Sequence, residues 1–271
     1  MQIVELHYRE VPDPDFQAVR DRARELLGTR IELAPSGGEK AQLFVHADFV
    51  TQFKDKAAPA LTSVLRGGER SEPARYEESV QQSWATQDAA GLIAQSSAAM
   101  LVTEMMCDPL EPDQRVSNFH GVLQAMVELT APVAMVFMHS QQVIDPEDYL
   151  RSCDRPPIFR MGSLNVRSYN ISNGEVEGEQ LMDTLGLDAI GLHDLQCHFA
   201  GLDGNDVANV LYNTGLYIFE NGPVIESGQT VQGIEEGSMW LCQFEQSPIK
   251  PERDVLDLNP GPPYAAGRRD A

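Results

Sequence analysis

Between residues 206 and 220 the apolar side chains fall on two helical stripes. Val207, Val210, Leu211, Thr214 and Ile218 follow the spacing of one helix face, and Tyr212, Gly215 and Phe219 form a second. A helix apolar on two sides needs cover on both, so this one is expected to lie centrally and buried. Asn205 or Asp203 can cap its first amides, and Asn221-Gly222-Pro223 stops it. The remainder of the chain must supply the covering layers.

Those layers read mostly as strands. Residues 98–106 (AAMLVTEMM) carry the strongest buried-strand signal, and residues 3–8, 30–33, 41–50, 133–138, 239–244 and 255–258 show shorter ones. Residues 158–171 read as one long strand or a hairpin. Helical spacing recurs over residues 16–27, closed by Gly28, and over a segment opened by residues 109–112 and running to Leu129. Short helices are expected from Tyr76 towards Trp84, near Asp88 and after Asp145-Pro146. Strands and helices interleave irregularly, which predicts an α+β fold with mixed or antiparallel sheets and packed helices. The first elements form a β-α-β-β lobe over residues 1–70, ending in the polar, glycine-containing stretch 66–75. A C-terminal α+β lobe is expected over residues 76–258, where β-α-β-β order can recur without a residue-level repeat. Residues 259–271 read as a disordered tail.

Charge narrows the partners. The 271 residues include 41 acidic and 20 basic side chains, a formal charge of -21. Such a surface repels phosphate backbones, so nucleic acid is not expected as a ligand, whereas a basic protein would be captured quickly through electrostatic steering. No apolar run approaches the ~20 residues of a bilayer span. The first residues, MQIVELHYRE, meet Glu5, Arg9 and Glu10 before a signal-peptide core could develop. No membrane association is expected, and the location expected is cytoplasmic. Cys107, Cys153, Cys197 and Cys242 are widely spaced without a CxxC pair, which points to reduced, mostly buried thiols.

Chemistry-bearing residues concentrate in GLHDLQCHFAGLDGND, residues 191–206. Leu195, Cys197 and Phe199 alternate with Gln196 and His198, so a strand is expected, with Cys197 towards the core. His193 and His198 differ by an odd number of positions and leave a strand on opposite faces. His193 and Cys197 share a face, but four strand residues span ~13 Å, far beyond the reach of one ion. No local metal site is therefore expected. The same parity separates Cys197 from His198 as nucleophile and base, leaving distant His120 or His139 as the remaining partners. Asp203-Gly204-Asn205-Asp206 begins like a calcium loop but places Val207 and Leu211 where later oxygen ligands belong. Gly67-Gly68 lacks a following GK[ST], and HExxH, GxSxG and GxGxxG are absent. No catalytic residue and no cofactor are expected.

The most suggestive constellation is SLNVRSYNI, residues 163–171, which sets Asn165, Arg167 and Tyr169 on one strand face. The favoured reading is structural, with Arg167 paired to Asp183 or Asp194. The alternative is an anion site of a small-molecule enzyme or sensor, in which Arg167, flanked by Asn165 and Tyr169 with Asp183 and Asp194 nearby, grips a carboxylate or phosphate through its planar fork.

The segment GSLNVRSYNIS, followed by LMDTLGLDAIGLHDLQCHFAGLDGNDVANVLYNTGLYIFENGPVIESGQTVQG, resembles the bacterial family catalogued as domain of unknown function 4261. The resemblance spans residues 162–261, with a fainter likeness through Ser83-Trp84, Asp88 and Leu101-Val102-Thr103. It implies a cytosolic bacterial protein without assigned catalytic residues. The family typically has a proline where His193 stands, which argues against a required ligand there. Its relatives are associated with toxin or secretion genes, which agrees with the charge: the function expected is an acidic protein-binding module, of the kind that blocks a basic toxin or secreted effector.

Overall fold

Alternating burial and helix caps define the elements of the computed structural model, which describes residues 1–35, 40–172, 174 and 176–267. These divide into two units, Met1–Ser163 and Leu164–Ala271. In the first, β1 (Ile3–Tyr8) leads to α1 (Phe16–Leu27), whose cap Asp15 accepts from the Gln17 and Ala18 amides and whose end is Gly28 at φ 66°. Next come β2 (Ile31–Pro35), β3 (Ala41–Gln52), β4 (Ala57–Glu69), α2 (Glu77–Gln81), α3 (Ala89–Ala94) and β5 (Ala98–Met105). The unit continues through α4 (Pro112–Thr130), β6 (Ala134–Phe137), β7 (Gln142–Ile144) and α5 (Pro146–Ser152). Its seven strands lie in the order β2-β3-β4-β5-β1-β6-β7, every neighbouring pair antiparallel. One core joins Val4, Leu6 and Val102 of the sheet to Val19 of α1 and Phe119, Leu123 and Met126 of α4. A smaller cluster sets Tyr76, Ala89 and Ile93 against Ala134, Val136 and Val143.

The second unit comprises β8 (Asn165–Asn170), β9 (Gln180–Leu185), β10 (Asp194–Phe199), α6 (Gly204–Asn221), β11 (Thr230–Gln232), β12 (Met239–Gln246) and β13 (Asp254–Asn259). The sheet order is β11-β12-β13-β10-β9-β8. Its β10–β13 pair is parallel and the other pairs are antiparallel, so the class is α+β with one antiparallel and one mixed sheet. The order β1-α1-β2-β3 recurs as β10-α6-β11-β12, and in both cases the chain passes from an interior strand through a helix to an edge strand. Asp203 caps α6, accepting from the Asn205 amide at 2.8 Å. Among the described residues no helix is long and apolar enough to cross a membrane.

Four expectations change. The division falls at residues 163–164, because the stretch 66–75 is not a linker: β4 runs through Gly67 and pairs with β5. A Cβ on Gly67 would collide with the Ala99 carbonyl, so the glycine that reads as a break permits close strand approach. Residues 158–171 form a 3-10 turn, Pro157–Phe159, before the short β8. The segment after β13 is ordered as far as residue 267: Tyr264 O accepts from Ala200 N at 2.9 Å and His198 O from Ala266 N at 3.1 Å. Residues 268–271 lie outside the described set. Finally, α6 buries its first stripe, while Tyr212 and Phe219 of the second are half-buried, so it covers one face of the sheet instead of running through a core.

Candidate functional site

Strand parity divides the residues of the second sheet between two faces. Val166, Thr184, Leu195 and Cys197 share the α6 side, and Gly215 of α6 comes close enough that a Cβ there would stand 3.3 Å from Leu187 and 3.4 Å from Leu164. The opposite face carries Asn165, Arg167 and Tyr169 of β8, with Asp183 of β9 directly opposite Arg167. Arg167 donates from Nε to Asp183 Oδ1 at 2.9 Å and from Nη2 to Oδ2 at 2.5 Å, and both side chains are fully buried. Arg253, just before β13, donates to the same Oδ2 at 2.6 Å, to Thr184 O at 3.0 Å and to Asp194 Oδ2 at 3.2 Å. Asp194 Oδ1 accepts from the Thr184 hydroxyl and the Leu187 amide, each at 3.1 Å.

Of the five residues singled out from the sequence, Arg167, Asp183 and Asp194 thus join one buried cluster through Arg253. Tyr169 lies under the Arg167 guanidinium, 5.3 Å from its centre, and Asn165 sits on the same face opposite Leu185. Arg253 had no pattern to reveal it; the available signal was charge balance, since two buried carboxylates call for more than one cation. Burial drives the Asp194 carboxyl up from 3.8 to about 7, opposed by Arg253 and reinforced by neighbouring Asp183. The planar fork of Arg167 is engaged by an internal carboxylate, which is the geometry of a structural ion pair.

The 191–206 stretch is strand, turn and helix cap. Cys197 is fully buried on the α6 side. His198 lies on the other face with Nε2 2.6 Å from Glu179 Oε1, and His193 packs edge-on against Phe244 at 4.7 Å. Among the described residues no three His, Cys, Asp or Glu side chains converge as a metal site. All four cysteines are free thiols. Burial pushes Cys107 up to about 12 and Cys242 up to about 11, so neither is a ready thiolate at neutral pH. His120 and His139 have other partners than Cys197: His120 bonds the Tyr149 hydroxyl at 2.9 Å and Ser163 Oγ at 3.0 Å, and His139 Nδ1 meets the Ile3 backbone. Burial lowers both imidazoles, His139 to about 4.

Sequence reasoning missed a serine-histidine-glutamate chain in the first unit. Ser96 Oγ lies 3.1 Å from His7 Nδ1, and His7 Nε2 lies 3.3 Å from Glu5, which also accepts from the Tyr76 hydroxyl at 2.7 Å. The Ser96 hydroxyl is also placed to donate to Ile93 O at 2.8 Å, which competes with the imidazole for its proton. This chain ties β1 to the small helices.

A concavity beside α6 is different in kind. A groove of about 450 Å³ runs between the C-terminal half of α6, the loop after it and β11, lined by Val210, Tyr217, Val224, Ile225 and Val231. Tyr217 and Val224 are 49% and 48% exposed. Around it the charge is one-sided: residues 168–249 contain thirteen Asp and Glu and no Lys or Arg.

Residues 183–259 match the family model described as a domain of unknown function, DUF4261. The match lies within the C-terminal unit. No curated protein and no solved structure matches the chain. The DUF4261 segment runs from Asp183 to Asn259 and so contains Asp194, Arg253, α6, β11 and the whole groove; Asn165, Arg167 and Tyr169 precede it.

Proposed function

We propose that the chain is an acidic protein-binding module of the bacterial cytoplasm that captures a basic protein partner, such as a toxin or secreted effector that it holds inactive. The observation that carries this reading is the stretch of residues 168–249, whose sequence contains thirteen Asp and Glu and no Lys or Arg, with Asp188, Asp203, Asp206, Glu220, Glu226, Glu235 and Glu236 exposed. Most of the DUF4261 segment lies in it. A surface region of one sign raises the encounter rate with an oppositely charged partner and repels nucleic acid. Of the basic side chains that flank that stretch, Arg167 and Arg253 are buried against Asp183 and Asp194, which leaves exposed Lys250 as a single positive charge beside many exposed carboxylates. An anion-gripping role for Arg167 requires the ligand to displace Asp183 from a fully buried pair, and we do not adopt it.

Affinity capture with the intact protein, run at low and at raised salt, tests the proposal. It predicts enrichment of proteins with basic surfaces at low salt and their release as salt rises, because the Debye length shrinks from ~10 Å at 0.1 M to ~3 Å at 1 M. Enrichment that is indifferent to salt, or not biased to basic proteins, contradicts it.

A further inference from the structure

We propose that β11 and the groove beside it take one extended, basic segment of the partner, which adds to the sheet as a further strand. This rests on the protein-binding reading and locates it. Three observations converge.

First, β11 is the last strand of its sheet, and among the described residues no strand pairs with its outer side. Gly233 donates its amide inward to Ser238 O at 2.8 Å, so strand alternation turns the Gln232 amide outward. Edge strands are protected by shortness, lysine, proline or an inward-pointing charge; β11 is short, but Thr230-Val231-Gln232 carries no lysine, proline or charge that would repel an added strand. The edge of the other sheet contrasts with it: β2 carries Glu32 and ends in Pro35.

Second, the groove runs alongside that edge. Val231 faces it from the strand and Tyr217 and Val224 leave about half their surface open. Its 450 Å³ falls within the range of sites that enclose bulky apolar groups. An added strand sends alternate side chains to one face, so every second residue of the incoming segment can enter the groove.

Third, the flanks select charge. Exposed Glu220 closes the α6 end, Glu226 follows Ile225, and Glu235 and Glu236 follow β11 closely. With no Lys or Arg from residue 168 to 249, these carboxylates have no cationic neighbour along the chain. The complementary occupant is an extended segment in which bulky apolar residues alternate with Lys or Arg.

Selection of random extended peptides displayed on phage, using the intact protein as bait, identifies what the site takes. Peptides that alternate basic and apolar residues should be enriched, and their synthetic forms should shift amide signals of residues 210–233 in NMR titrations. Gln232→Pro removes an outward donor from the edge and should weaken binding at least tenfold. Glu226→Lys with Glu236→Lys, both exposed, should do the same without touching the fold. Selected peptides that are not basic, signal shifts elsewhere, or affinity unchanged in both variants overturn the proposal. So does a dimer in solution that Gln232→Pro converts to monomer, because a second copy is then the occupant. If affinity capture still retrieves a basic partner with both variants, this site is wrong and the protein-binding reading stands. If no basic partner is retrieved by the unaltered protein, that reading fails itself.

Discussion

Removing Asp183 should be the most damaging single change in the C-terminal unit. Its carboxylate receives two hydrogen bonds from Arg167 and one from Arg253, all from side chains at most 8% exposed. Breaking a buried ion pair by deleting one partner costs ~3–5 kcal/mol, since the remaining charge has neither water nor partner. Asp183→Leu leaves two guanidinium groups short of a partner and should reach the top of that range. In Arg167→Met the carboxylate retains Arg253, so the cost should lie near the bottom, about 3 kcal/mol. The double variant Arg167→Met with Asp183→Leu should cost less than the sum of the two, by ~1–3 kcal/mol, because each substitution removes the charge that the other strands. Trp240 is 3% exposed and belongs to this unit, whereas Trp84 is 55% exposed, so urea unfolding followed by fluorescence in a Trp84→Phe background reports the unit directly. A cost below ~1 kcal/mol for Asp183→Leu, or strict additivity, would refute the view that these charges hold each other in place.

Other consequences are smaller and separable. Gly215→Leu adds carbons where a Cβ already stands 3.3 Å from Leu187 and 3.4 Å from Leu164, and should cost ~1–3 kcal/mol or more by overpacking, read from the same urea midpoint. Cys197→Ser puts a hydroxyl on the buried α6 side of β10 and should lose ~1–3 kcal/mol while partner binding persists; His193→Ala should cost less. The Asp194 carboxyl is raised from 3.8 to about 7, so the folded form holds its proton more tightly than the unfolded one. Its contribution is therefore complete below the unfolded value and is lost as pH rises through about 7. Unfolding midpoints at pH 4 to 8 should show that loss in the unaltered protein relative to Asp194→Asn, and parallel profiles would contradict it. Glu5 acts in the opposite direction: burial raises it, but hydrogen bonds from His7 and Tyr76 together with Arg75 bring it below its ordinary value, so its contribution falls away in acid.

What could be read from the chain alone follows from where side chain and neighbour agree. β5 opens with an unbroken apolar run, β10 alternates apolar and polar residues, and α6 carries its own cap and stop, so each is visible without tertiary information. β4 is not, because Thr62 and Ser63 are buried and Gly67 serves a strand contact that sequence reasoning takes for a break. β9 hides for a related reason: Asp183 and Thr184 interrupt its apolar pattern, yet both are buried because Arg167, Arg253 and Asp194 satisfy them. Arg167 with an aspartate across the sheet could be anticipated from face parity, whereas Arg253 reaches the cluster from a segment far along the chain. The ordered turn after β13 has the composition of a tail, and only its backbone bonds to β10 reveal otherwise. The groove was invisible because its walls come from a helix, a loop and a three-residue strand whose proximity no periodicity encodes.

The central claim, capture of a basic partner by an acidic surface, is tested most directly by the association rate of the purified pair as a function of ionic strength. Steered association should be fast at low salt and fall steeply as salt is raised, while dissociation changes much less. Neutralising exposed carboxylates, as in Glu226→Gln with Glu235→Gln and Glu236→Gln, should flatten the dependence. An association rate that stays constant from ~0.05 to ~0.5 M salt, or that is unmoved by those substitutions, would contradict the account.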